Sequence, residues 1–141
     1  MRVVIDSAVV VAALATPNPA SASRVVLEAV AAGVMELVIT DDLEAEYRRA
    51  VEYPKVRSRA ARLDRQGFID AIVATAERVE ADTASGAVPA DPGDDKIVAA
   101  ALAGEAEFLV TLDRDLLDLA GLHGLATVRP GDFLQQLRGG R

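Results

Sequence analysis

Val3-Val4-Ile5-Asp6-Ser7 drives three β-branched residues straight into a carboxylate and a hydroxyl. A run that is short, apolar throughout and closed by a polar residue is what a strand covered on both faces of a parallel sheet looks like. Leu37-Val38-Ile39 and Phe108-Leu109-Val110 repeat it, and Ala126-Thr127-Val128 is a weaker fourth instance. Between these runs apolar residues recur at helical spacing: Val25, Val26, Ala29 and Val30; Leu43, Tyr47, Ala50 and Val51; Phe68, Ile72, Val73, Ala76 and Val79; Ile97, Val98, Ala101 and Leu102. Pro130 opens a last short helix carrying Phe133, Leu134 and Leu137. Strand alternating with helix predicts an α/β domain with a mostly parallel sheet of about four or five strands and right-handed crossovers. Strand order is not legible at this level.

The chain has 141 residues, 51% of them hydrophobic and 26% charged. That suits one domain, residues 1–141, which can hide roughly 70% of its unfolded surface without covalent staples. Residues 82–93, rich in Ala, Ser, Gly, Pro and Asp, read as a flexible loop, and residues 138–141 as a disordered tail. With no Cys, a disulfide framework, a thiolate nucleophile and an iron–sulfur cluster are excluded, and a reducing, cytoplasmic setting is expected. The single His, His123, reads as a loop residue and leaves neither a zinc site nor Ser–His–Asp chemistry much to stand on. Met1 to Ser23 superficially resembles an export signal, but Asp6 interrupts its apolar core, and no apolar run approaches a membrane span.

The formal net charge of −7 makes the molecule as a whole repel polyanions. The cations are uneven, however. Seven basic residues lie between Arg48 and Arg65 against Glu52 and Asp64, so that segment carries +5 and the remainder −12. A basic run is commonly a solvated helix face, yet Arg59 and Arg62 are spaced to share a side and could grip a phosphate backbone.

Ligands of such sheets bind outside the carboxyl ends of the strands. Asp6 follows the first strand; Asp41, Asp42, Glu44 and Glu46 follow the second; Asp113 and Asp115 follow the third; Asp94 and Asp95 open the helix leading into it. Carboxylates converging on one rim repel one another unless a cation or shared protons offset the charge. With hard oxygen donors only, the natural cation is Mg²⁺ or Mn²⁺, which lowers the pKa of a bound water and offsets phosphate charge. Phosphodiester hydrolysis is the matching chemistry.

Each acid also has an ordinary explanation. Asp41 reads as a helix N-cap with Glu44 completing a capping-box-like pair. Glu46 lacks that explanation and flanks the apolar stripe of its helix. Asp94 continues the buried face of Ile97, Val98 and Ala101, whereas Asp95 turns aside. Asp113 could simply cap a turn before Leu116. Asp6, set between two apolar runs, is the sharpest anomaly.

At these residues the chain resembles the PIN domain family, and most closely the PIN-family toxin components of bacterial toxin–antitoxin modules. The stretches that carry the likeness are Val3-Val4-Ile5-Asp6-Ser7, Leu43-Glu44-Ala45-Glu46 with Tyr53-Pro54-Lys55, Asp91-Pro92-Gly93-Asp94-Asp95-Lys96, Leu109-Val110-Thr111-Leu112-Asp113-Arg114-Asp115 and Pro130-Gly131-Asp132-Phe133. The resemblance implies a Rossmann-like, three-layer fold and a Mg²⁺- or Mn²⁺-dependent ribonuclease. It selects Asp6, Glu46, Asp94 and Asp113 as the acidic set, with Ser7, Thr111, Asp95 and Asp115 in support. It also implies an RNA substrate, a homodimer and a cognate antitoxin. Ser7-Ala8 departs from the family's usual Thr-Asn, keeping the hydroxyl and losing the amide.

The expected activity is therefore endoribonuclease: Asp6, Asp94 and Asp113 hold metal, Glu46 binds metal or orients water, and Arg48, Lys55, Arg57, Arg59 and Arg62 are candidate RNA contacts. The competing expectation is a degenerate PIN module that binds RNA or protein without cutting. A nucleophilic-Asp phosphatase is disfavoured by Ala8, where a second Asp is wanted, and a phospho-receiver by Leu112, where a Lys is wanted.

Overall fold

The computed structural model describes residues 1–81, 92–119 and 124–139, with residues 92–95 as helix backbone only. In chain order the elements are β1 (Arg2–Ile5), α1 (Ser7–Ala15), α2 (Ala22–Ala31), β2 (Glu36–Ile39), α3 (Asp41–Ala50), α4 (Pro54–Arg59), α5 (Arg65–Val73), β3 (Glu77–Arg78), α6 (Pro92–Ala103), β4 (Phe108–Val110), α7 (Arg114–Leu117), β5 (Ala126–Val128) and α8 (Pro130–Gly139). The sheet is wholly parallel with order β3-β2-β1-β4-β5. Val3, Val4 and Ile5 are completely buried, as are Val38, Ile39, Leu109 and Val110, because helices cover both faces.

Order runs outward from β1 through β2 to β3, then returns to the far side of β1 for β4 and β5. Right-handed crossovers then put the connections on opposite faces of the sheet, making three layers. On one side α2 packs against α1, α5 and α8, while α6 lies across β1, β2 and β4. At the end of α6 the approach is close enough that a Cβ on Gly104 would stand 2.3 Å from Val38 Cγ1. Phe133 of α8 is fully buried and meets Phe108 edge-on, with ring centroids 5.2 Å apart.

Several local expectations are corrected. Helix α5 ends at Val73, so Ala76 and Val79 do not continue its stripe. The chain turns instead into β3, a strand of two charged residues with no apolar run to announce it. Pairing to β2 holds it, and Val79 N–H donates to the Ile39 carbonyl at 2.9 Å. The N-cap of α3 is Thr40, not Asp41: the nearly buried hydroxyl accepts from Leu43 N–H at 3.1 Å. Asp41 and Glu44 are instead ion-paired with Arg78, which ties β3 to α3. Helix α6 begins at Pro92, so residues 92 and 93 of the loop expected over 82–93 are helical, while 82–91 lie outside the described residues. Helix α8 likewise takes in Arg138 and Gly139 of the expected tail; residues 140–141 and His123 lie outside the described residues.

Candidate functional site

The sheet order reverses between β1 and β4, and a crevice opens there beyond the carboxyl ends of both strands. Asp6 stands at the end of β1, its backbone N–H bonded to the Val110 carbonyl at 2.9 Å. It occupies the N-cap position of α1 in extended backbone, φ −69° and ψ 147°, yet its side chain makes no cap bond. The carboxylate turns to Thr111, whose Oγ1 donates to Asp6 Oδ2 at 2.8 Å. The same oxygen of Thr111, a fully buried residue, accepts from Asp113 N–H at 3.0 Å. One hydroxyl thus fixes the carboxylate after β1 relative to the chain after β4. Asp113 is also the N-cap of α7, its Oδ1 accepting from Asp115 N–H at 2.9 Å. The Asp115 carboxylate is exposed, and it is its backbone that steadies Asp113.

Helix α3 forms the opposite wall. Leu43, Tyr47 and Ala50 bury one face of it, and Asp42, Glu46 and Arg49, at i, i+4 and i+7, present the other to the crevice. Tyr47, completely buried, donates its hydroxyl to the Ile5 carbonyl, linking the residue after Glu46 to the residue before Asp6. Asp6, Ser7, Glu46 and Asp113 line this single cleft. Its volume of about 480 Å³ exceeds by far the roughly 30 Å³ share of one water, leaving room for a hydrated ion beside a phosphodiester. Asp94 and Asp95 sit in the first turn of α6, whose Lys96 and Ile97 border the cleft; the two aspartate side chains lie outside the described residues. A larger open cleft of about 910 Å³ lies between α7, β5 and α8, but there Arg114 and Arg129 face Asp118 and Asp132, so no one sign of charge gathers.

Burial raises the pKa of Asp6, the Thr111 hydrogen bond opposes the rise, and the fields of Glu46 and Asp113 add to it. Tyr47 is pushed well above its ordinary value, by burial first and then by Asp6 and Glu46, so its hydroxyl stays a donor. Among the described residues Asp6 makes no ion pair, and no three His, Asp or Glu side chains stand close enough to grip one ion directly. The donors are all oxygen, and the negative charge is only partly offset from within. That donor chemistry suits a hard divalent ion that keeps some of its own waters.

A folded-state pKa above the unfolded one means that the folded chain holds the Asp6 proton more tightly. Stability contributed by the protonated form is present below the unfolded value, near 3.8, and is lost as pH rises through the folded value. In metal-free buffer Asp6→Asn is therefore expected to melt a few degrees above the parent at neutral pH and level with it well below pH 3.8. Thermal melts across that range check it; a lower melting point at neutral pH contradicts the burial argument.

Arg49 and Lys96 are the cations at this rim, and neither stood out in the sequence. For Arg49 the available signal was its place three residues after Glu46, on the same side of the helix. Of the expected RNA contacts, Arg48 is engaged by Glu44 at 3.0 Å, Gln66 at 3.1 Å and Asp70 at 2.8 Å. Lys55, Arg57 and Arg59 are exposed on α4 and Arg62 just after it; none lines the acidic cleft.

A family model described as PIN domain matches residues 2–115. No curated protein and no solved structure matches the chain.

Proposed function

We propose, from the premise that the chain belongs to the PIN domain family, that it is a metal-dependent endoribonuclease acting at the cleft between β1, α3 and β4. The family supplies nuclease-type chemistry in general; the choice of RNA and of the ion is the present reading. The observation that carries it is Asp6, a half-buried carboxylate held by Thr111 and opposed by Glu46 and Asp113. Such a group is stabilised best by a cation from outside the chain.

In this reading Asp6, Asp94 and Asp113 hold Mg²⁺ or Mn²⁺, and Glu46 joins them or orients the attacking water. The ion, when bound, supplies an acidified water and offsets the phosphate charge. Thr111 and Ser7 keep Asp6 aimed, Asp115 steadies Asp113 through its backbone, and Asp95 is the remaining supporting residue of the acidic set. Arg49 and Lys96 soften the approach of a phosphodiester to a negative rim. The motif order that resembles toxin components adds a cognate antitoxin, a homodimer and a cytoplasmic setting to the same proposal. No helix among the described residues is long and apolar enough to cross a membrane.

The test pairs cleavage with calorimetry. Mn²⁺ is expected to bind saturably, and single-stranded RNA to be cut in Mg²⁺ or Mn²⁺ at least about 10²-fold faster than in EDTA, since a metal contributes several kcal/mol. A second reading, a module that holds RNA without cutting, is favoured by Ala8, which stands where the family usually has Asn. RNA retention with no saturable Mn²⁺ isotherm and no cleavage would select that reading.

A further inference from the structure

At the far end of α1 from Asp6, three arginines from two parts of the chain line one cleft of about 430 Å³: Arg24 of α2, Arg59 at the end of α4, and Arg62 just beyond, with Thr16 and Ser58 beside them. Among the described residues that line it none is acidic, in a chain of net charge −7. Three guanidinium groups in one recess repel each other unless an anion joins them. Glu28 Oε1, itself 55% exposed, lies 3.9 Å from Arg24 Nε, which is beyond a hydrogen bond. Arg24 Nε is accordingly buried with no hydrogen-bond partner among the described residues. Arg59 and Arg62 form no ion pair among those residues, and that of Arg24 with Glu28 is long and exposed.

We infer that this cleft is a subsite for a backbone phosphate of RNA. The inference rests on the reading of the protein as an RNA-cutting enzyme and adds a second point of grip to it. Guanidinium forks match phosphate oxygens in pairs, and Arg24 comes from a different helix than Arg59 and Arg62, so an anion can be approached from two sides. Fully buried Val56 holds α4 down, leaving Lys55 and Arg59 exposed. Lys55, four residues before Arg59, shares its side of the helix, so positive charge extends out of the recess, which suits a chain with a charge on every unit better than one isolated carboxylate. The nine residues of α1 span about 13 Å between Asp6 and the helix end that borders this cleft, a length that a short strand exceeds.

The experiment measures binding of a labelled oligouridylate in EDTA to the Asp6→Asn protein, over a series of salt concentrations. Arg24→Gln and Arg59→Gln, each added to that protein, are expected to weaken binding several-fold and to lower the log–log salt slope by about 0.7 each. Arg138→Gln, exposed on α8, is expected to change neither. Arg59 is exposed, so its variant keeps the question answerable should Arg24→Gln fold poorly. Unchanged affinity and slope for both cleft variants would overturn the subsite. Polyglutamate bound by the parent and lost by Arg59→Gln, with RNA binding untouched, would give the cleft to an acidic peptide and overturn it too. Because no metal or cleavage enters the measurement, these results stand apart from failure of the nuclease reading, which shows only as absent metal-stimulated cutting.

Discussion

Asp6→Asn is expected to cut metal-stimulated RNA cleavage by about 10³-fold or more, with the fold intact. The amide is nearly the same size and can still accept the Thr111 hydroxyl that Asp6 Oδ2 now accepts at 2.8 Å. What it lacks is charge, and a hard cation held by oxygen donors depends on charge; the several kcal/mol that an ion contributes to a phosphoryl reaction corresponds to a loss of that order. Mn²⁺ calorimetry should lose its saturable phase in the same variant. Glu107→Gln, an exposed carboxylate away from the cleft, serves as control and should leave cleavage unchanged. Full activity in Asp6→Asn would remove the proposed centre, because Asp6 is the carboxylate on which burial, Glu46 and Asp113 act together.

Tyr47→Phe tests how the cleft is kept in shape. The ring is completely buried between α3 and the sheet, and its hydroxyl reaches the Ile5 carbonyl. Removing the oxygen keeps the apolar packing and deletes one buried hydrogen bond, a cost of about 1–2 kcal/mol. The larger expected effect is on rate. The bond joins the residue after Glu46 to the residue before Asp6, so its loss frees the two carboxylates to drift, and a displacement near 1 Å can cost about 10²-fold. The expected result is a fall of about 10- to 10²-fold in kcat with KM little changed, and no further loss when Tyr47→Phe is added to Asp6→Asn. A lower melting temperature with undiminished kcat would show that the bond holds the fold and nothing more.

The two walls of the cleft differ in how far they were legible. Asp6 could be singled out because a carboxylate between two apolar runs is anomalous wherever those runs end up. Helical phase left Glu46 open, on the flank of the Leu43, Tyr47 and Ala50 stripe that α3 buries, and family likeness selected it. Thr111 joined the support set through family likeness, but the hydrogen bond its hydroxyl donates to Asp6 while accepting from Asp113 N–H needed β1 and β4 to be neighbours. Arg24 gave no signal at all: it lies 35 residues from Arg59, and only the packing of α2, α1 and α4 brings them to one recess.

Period and composition are local properties. Short unbroken apolar runs, apolar residues of period 3.6, and acids placed where those runs stop settle which segments are strands or helices and which ends carry charge. From the sequence by itself came the α/β alternation, four of the five strands and the carboxylates at their ends. Tertiary structure alone decided that β1 stands between β2 and β4, that Asp41 is drawn to Arg78, and that Arg49 and Lys96 border the acids while Arg48 is tied down elsewhere. Those outcomes turn on which distant segments pair and pack together, a competition among long-range contacts that no local pattern encodes.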